Sequence, residues 1–557
     1  MVALRQVIET LSTFATDWSN RHGSARTDHL SEGPSNTVRI CYCSKGTTAR
    51  NLADKLHRNL NKRCAKEFRV TYSSLNALDL HRVDPSDVIL VVASTTGSGA
   101  FPSNGEEFAK SMAHMRRTLN TDFSQLRVSV FGVGDSAYPN FNAAAIDLHN
   151  FFSGLGVLPI AGGLVKADVA SEALPLRLFN RWFEAVESSL TGGVGELREN
   201  PEEEFMAQAA MLSQFDSAIL VSKSSPASGE DEGLVVMTLE GVEYGEMKHL
   251  RLLPTNSLSQ VTRAMAALGI EDAKMLVPFS DQKLRQWTYQ DFLSYFVDLE
   301  DGFKTQSWTT QLSKQKETVI QTLERLAAVE NPQQLSEALR LSICLDLPLL
   351  RPRAFSVASS SRYVGEKTVE LLVKPHRHGR FSGIYLATLQ PGAQVKYSLV
   401  PTAPAAGLPA VQKPLIAITS GSGFAPVRSL LQHRIHMAQT SQAQSSKAHP
   451  FENSPISLFA GFRLLDGDLI RSTTSLAEKH RVLDISCLVP SNKEKKRVQD
   501  FLWHRRDEIR TKLVDGEGYV YVCGSAIMTE GVLAKLSEIV GGDPKQRLGD
   551  RYVEEVF

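Results

Sequence analysis

Arg351-Pro352-Arg353-Ala354-Phe355-Ser356-Val357-Ala358-Ser359-Ser360 closes a strand-like run with a cation, an aromatic ring and a row of hydroxyls. A flat aromatic ligand with a phosphate tail needs that set. The ring offers a stacking plane, the guanidinium makes charge-assisted hydrogen bonds to phosphate oxygens, and the hydroxyls reach the ligand's polar edge. Standing alone, the decamer reads equally well as a Ser-rich strand end. Its flanks on both sides carry the argument.

On the upstream side, short apolar runs alternate with amphipathic helices from Val38 to about Glu187. Val38–Cys43, Val88–Ala93 and Val128–Gly132 read as buried parallel strands, and a doubly wound sheet binds ligands at the carboxyl ends of such strands. Each strand runs into a small-residue loop: Ser44-Lys45-Gly46-Thr47-Thr48-Ala49, Ser94-Thr95-Thr96-Gly97, and Gly134 through Tyr138, Phe141 and Asn142. Amides and hydroxyls at a helix start favour a phosphate, although Ser/Thr/Gly loops also simply cap helices. Together the loops frame a second flat ligand.

On the downstream side, Gly379-Arg380-Phe381-Ser382 is a Gly-led turn, and an apolar strand enters Gly421-Ser422-Gly423-Phe424-Ala425-Pro426-Val427-Arg428 before a helix. A lone GxG is weak evidence, whereas this longer string at a strand–helix junction is specific. Arg463 ends the next strand. Ser491 with Lys495, Lys496 and Arg497 follows another, where a charge run also suits a solvated helix face.

These segments, in order, resemble the diflavin oxidoreductases that use NADPH. The three upstream loops are similar to the FMN loops of their flavodoxin-type domain, with Gly46-Thr47 in place of Thr-Gly and Thr96 where several relatives carry an aromatic. The resemblance makes Tyr138 the main stacking residue and sets Asp168 near the FMN edge. The decamer is similar to the FAD segment, placing Arg353, Ala354, Phe355 and Ser356 on FAD, and Gly379, Phe381 and Ser382 match the second FAD segment with one extra residue before Tyr385. Gly421, Ser422, Gly423, Arg463, Ser491, Lys495 and Arg497 match the NADPH positions, with Asn492 in place of an Arg. The last residues, Arg551-Tyr-Val-Glu-Glu-Val-Phe557, match the family ending, in which the aromatic, here Phe557, covers the flavin. Ser356, Cys523 and Glu555 are then the expected hydride-transfer residues, with a buried strand thiol the alternative for Cys523.

The expected architecture is α/β multidomain. It comprises an N-terminal helix and tether (1–37), a flavodoxin-like FMN domain (38–187), a linker (188–214), a β-barrel FAD domain (215–410) with a helical insert at about 285–345, and a ferredoxin-reductase-type NADP-binding α/β domain (411–557). The formal net charge is zero, with 61 basic and 61 acidic residues, so the chain has no overall bias toward nucleic acid. Its six scattered cysteines form no CxxC pair and fit a reducing, cytoplasmic compartment, and no metal site is expected. No run approaches a membrane span. Leu4, Val7, Ile8, Leu11, Phe14 and Trp18 share a helical face, and Glu9 and Asp17 disfavour a transit peptide. The decamer, the short length and the lack of an anchor most resemble the diflavin reductase of cytosolic iron–sulfur cluster assembly, which implies an anamorsin-type iron–sulfur protein as electron acceptor. A haem protein, sulfite reductase or methionine synthase is the alternative acceptor. A scaffold with a degenerate flavin site is the alternative of another class.

Overall fold

The computed structural model describes residues 36–556 apart from 47, 66, 97–98, 120, 136–139, 170–173, 194–201, 225–232, 301–316, 330, 377–378, 401–403, 411, 444–449 and 491–495. The expected N-terminal helix lies outside the described residues, as do Thr47, Gly97, Tyr138, Ser491, Lys495 and Phe557.

The first module is a five-stranded sheet in the order β2-β1-β3-β4-β5. Its strands are β1 (Asn36–Cys43), β2 (Phe68–Ser74), β3 (Val88–Ser94), β4 (Arg127–Gly134) and β5 (Leu158–Asp168), all parallel. Every residue of β3 but the last is buried, because helices cover both faces of the sheet. Thr48–Cys64 and Leu174–Leu190 pack on one face, and Ser103–Thr118 and Ala143–Ser153 on the other. Trp182, fully buried, donates its indole N–H to Ser129 Oγ at 2.7 Å. The strand order reverses between β1 and β3, which opens a crevice at their carboxyl ends.

The second module is a six-stranded antiparallel sheet ordered β10-β7-β6-β11-β8-β9. It comprises β6 (Asp216–Lys223), β7 (Val235–Glu240), β8 (His249–Leu253), β9 (Arg353–Ser356), β10 (Thr368–Val373) and β11 (Gln394–Leu399). A bridge between Val357 and Leu371 joins its two edges into a barrel. The helical layer on this barrel begins earlier than the sequence pattern implies, at Leu258–Ala267, where Ser257 and Gln260 form a reciprocal capping box. It continues through Tyr289–Tyr295, Val319–Val329 and Glu337–Leu345.

Part of the segment read as a linker is also helical. Glu203–Leu212 packs into this layer, with Phe205 5.5 Å from Phe292 and the Gln208 amide donating to Leu350 O. Buried Phe205 and Met211 supply an apolar face that turn-rich flanks concealed. Two adjacent acids then hold the segment from both sides. Glu202 accepts from the Ser280 and Asp281 amides, and Glu203 pairs with Arg181 of the first module at 2.7 Å.

The third module is a parallel sheet ordered β14-β13-β12-β15-β16. Its strands are β12 (Leu415–Ser420), β13 (Ile456–Phe462), β14 (Leu483–Pro490), β15 (Tyr519–Gly524) and β16 (Tyr552–Val556). The barrel shares a hydrophobic core with this module, Met247, Ala358 and Leu372 joining Phe424, Val427 and Leu431. The two cores of the first module contain only its own residues.

Polar groups line the shared seam. Arg428 pairs with Glu370 at 2.6 Å and donates to Ala358 O, and Ser429 Oγ donates to Ser359 O. Glu246 accepts from Ser360 Oγ at 2.8 Å, with His433 Nδ1 3.2 Å away. Burial by itself would raise the Glu246 carboxyl, yet His433, Ser360 and a backbone N–H together hold it down to about 2. Its contribution to stability is therefore complete above the ordinary value of 4.5 and is lost as pH falls toward 2. The thermal midpoint of the barrel–nucleotide unit is expected to decline across that acid window, with a smaller decline in Glu246→Gln.

Candidate flavin and nucleotide sites

The three loops of the first module line one cleft of about 470 Å³ at the carboxyl ends of β1, β3 and β4. Ser44, Lys45, Gly46, Thr48, Ala49, Ser94, Thr95 and Thr96 form one side, with Gly134, Phe141 and Asn142 opposite. Side chains fix the loops locally. Ser44 exchanges hydrogen bonds with the Asn104 amide group, its N–H donating at 2.9 Å and its O accepting at 3.2 Å. Thr95 Oγ1 accepts from the Ala144 N–H that starts the next helix.

Asn142 adopts a left-handed backbone, with φ of 57°, and a Cβ on Gly134 would come within 2.9 Å of its nitrogen. Its Oδ1 is buried and accepts no hydrogen bond from the described residues. A helix start, several hydroxyls and a buried acceptor suit a ligand with an anionic tail and a polar ring. The residues present fit FMN.

The far wall of this cleft comes from the third module. Glu554 and Val556 of β16 line it, and Glu554 pairs with Lys45. Lys545 at 2.9 Å and the Tyr552 hydroxyl at 3.1 Å complete the shell around Glu554. Burial opposes its charge, but the two ammonium groups outweigh burial and lower its carboxyl below the ordinary range. Asp168, which the resemblance set at the FMN edge, ends β5 only 3% exposed and pairs across the module border with Arg351 at 3.5 Å. It is absent from the lining of the cleft because its carboxylate turns toward that cation.

On the barrel, Arg353 starts β9 half-buried. Burial depresses its guanidinium, against the opposing charges of Asp135 and Asp298. Ala354 is exposed beside it, and Phe355 packs 4.8 Å from Phe381. Phe381 itself is 2% exposed within the barrel core. It supports Phe355 from below, because its position in the turn directs it inward. The extra residue of the second FAD segment has a physical form: Arg380–Tyr385, which includes Ser382, is a π-helical turn after Gly379. Arg380 points away from solvent to Asp298 and Asn256, at 2.7 and 2.6 Å. A half-buried guanidinium, an aromatic plane and a Ser-bearing turn fit FAD.

The nucleotide cleft, about 450 Å³, lies at the switch point between β12 and β15. Gly421 and Ser422 line it with Arg463, Lys496 and Arg497. Gly421 has φ of +55°, and a Cβ on Gly423 would meet Cys523 O at 2.3 Å. Lys374, directly after β10 of the barrel, adds a cation that the sequence reading missed. A lone lysine after a strand carries no motif.

The residues expected at the hydride centre do converge. Cys523 on β15 sits opposite Glu555 on β16, and Ser356 on β9 sits opposite His249 on β8. Glu555 Oε2 joins the two pairs, 3.1 Å from His249 Nε2 and 3.0 Å from the Tyr521 hydroxyl. Burial, with the Glu555 charge, pushes the Cys523 thiol up to about 12, so it stays protonated. His249 and Tyr521 were also missed. Only strand alternation, Tyr521 two residues before Cys523, hinted at either.

Comparison with known proteins agrees with this layout. Residues 40–207 match the family model for flavodoxin, and residues 417–533 match that for an oxidoreductase NAD-binding domain. Human inducible nitric oxide synthase is 26% identical over 84% of this chain and 46% of its own. The sulfite reductase [NADPH] flavoprotein alpha-component of Shewanella sp. (strain ANA-3) is 26% identical over 73% of this chain and 70% of its own. A bifunctional cytochrome P450/NADPH–P450 reductase of Acremonium egyptiacum is 24% identical over 96% and 55%. In both matched domains and in their order the chain is similar to the diflavin reductases. It spans about half the length of the synthase and the P450 fusion that it matches. FMN, FAD and a nicotinamide nucleotide are its cofactors. Gly423→Ala is expected to displace the nucleotide turn, weakening NADP⁺ binding by roughly tenfold or more by calorimetry while FMN and FAD content stay unchanged.

Proposed function

We propose that this chain takes two electrons from NADPH and delivers them singly, by way of FAD and FMN, to a protein acceptor. When bound, the flavins supply that two-to-one conversion; the protein positions and shields them. The observation that carries the reading is that consecutive residues of β16 reach both sites, Glu554 at the FMN cleft and Glu555 at the Ser356–Cys523 centre. In this reading Arg353 holds the FAD pyrophosphate, Ser356 bonds the flavin edge and Glu555 balances positive charge on the nicotinamide. Lys496 and Arg497, with Lys374, bind the 2′-phosphate. The resemblance assigns Tyr138 and Phe557, both outside the described residues, to the two ring systems.

The acceptor we assign is an anamorsin-type iron–sulfur protein, supported by the resemblance of the Arg351–Ser360 decamer. Relatives named for sulfite reductase and P450 reduction favour a haem-linked acceptor as the second reading. Among the described residues, no helix is long and apolar enough to cross a membrane.

The purified chain is expected to carry FAD and FMN in near-equal amounts and to reduce ferricyanide with NADPH. Lack of FMN would favour the scaffold reading. NADPH-driven reduction of an anamorsin-type protein should outpace that of a sulfite reductase haem subunit, and the reverse order would transfer the assignment. Arg353→Ala should release FAD and retain FMN. Replacing Lys496 and Arg497 by Ala should raise KM for NADPH by about tenfold, from charge-assisted bonds of ~1.5–3 kcal/mol, with little change for NADH.

A further inference from the structure

We propose that Tyr521 is a positioning residue which, together with His249, pins one oxygen of Glu555 and leaves the other for the nicotinamide. The inference rests on the reading that the nicotinamide binds at this centre. Glu555 Oε2 receives the Tyr521 hydroxyl at 3.0 Å and faces His249 Nε2 at 3.1 Å. Its Oε1 is buried and has no hydrogen-bond partner among the described residues. A buried carboxylate oxygen without a donor is costly, and a native structure retains such an atom where something else completes it.

The geometry specifies what completes it. Parallel pairing sets Glu555 directly across from Cys523, and antiparallel pairing sets His249 across from Ser356. The groups around the carboxylate are therefore Tyr521 and Cys523 from β15, His249 from β8 and Ser356 from β9. None of the described groups delivers a positive charge or N–H donor to Oε1. A ligand that gains positive charge during its reaction, as a nicotinamide does on oxidation, suits that oxygen.

Tyr521 is fitted to the holding role. It is fully buried, so its hydroxyl has no water to exchange with. Burial, followed by the neighbouring Cys523 and Glu555, raises its ionisation well above the ordinary value, so it remains an O–H donor. A glutamate has three side-chain torsions; two donors on one oxygen fix them and orient the other.

The test uses the holoprotein with Tyr521→Phe, Glu555→Gln and the double variant. Dissociation constants are measured for cationic NADP⁺ and for neutral, unreactive 1,4,5,6-tetrahydro-NADP, alongside steady-state kinetics with NADPH and ferricyanide. A carboxylate held near the ring favours the cation, so the ratio of the NADP⁺ constant to the neutral one should rise about fivefold in Tyr521→Phe and at least as far in Glu555→Gln. The double variant should match Glu555→Gln alone. The kcat of Tyr521→Phe should fall by roughly tenfold with KM, flavin content and thermal midpoint unchanged. A wild-type ratio in Tyr521→Phe beside a raised ratio in Glu555→Gln would reduce Tyr521 to packing and overturn the proposal. A wild-type ratio in Glu555→Gln would remove the nicotinamide from this centre and overturn the proposal together with the reading beneath it.

Discussion

Parallel pairing of β16 with β15 places Glu555 opposite Cys523 and turns the neighbouring Glu554 to the other side. Because successive side chains of a strand point to opposite faces, a single short strand meets two sites. Glu554 reaches Lys45 in the first module, and Glu555 reaches His249 in the barrel. The register of β16 is thus the constraint on which the relation of the three modules depends. A one-residue slip would exchange the two glutamates and disconnect both.

The two inter-module seams differ in kind. The barrel and the nucleotide module share a hydrophobic core, with polar pairs such as Arg428–Glu370 seated within it. Shared apolar burial makes them one unit. The first module meets that unit through charges: Lys45 with Glu554, Arg351 with Asp168, and Arg181 with Glu203. Such pairs orient a surface strongly but add little net stability once desolvation is counted, so this seam is the more separable of the two. The electron relay proposed above, inward from FAD and outward to an acceptor, would benefit from that asymmetry.

Much of the layout was legible in the sequence. The Arg351–Ser360 decamer, the three small-residue loops and the Gly421–Arg428 string each occupy a continuous stretch. Their backbone geometry depends largely on residues within a few positions of one another, as the positive φ of Gly421 shows. Less legible were Glu203–Leu212, whose helix depends on Phe205 finding Phe292, and the inward turn of Phe381.

The sequence by itself determined the module order, the parallel strands of the first and last modules, and the loops that present phosphate-binding groups. Tertiary structure alone decided that Asp168 answers Arg351 rather than lining the cleft, that Lys374 joins the nucleotide site, and that His249 and Tyr521 hold Glu555. The reason is range. A loop or strand encodes its shape in neighbouring residues, whereas Lys45 and Glu554 are 509 positions apart. Their contact exists only after three sheets have formed and docked.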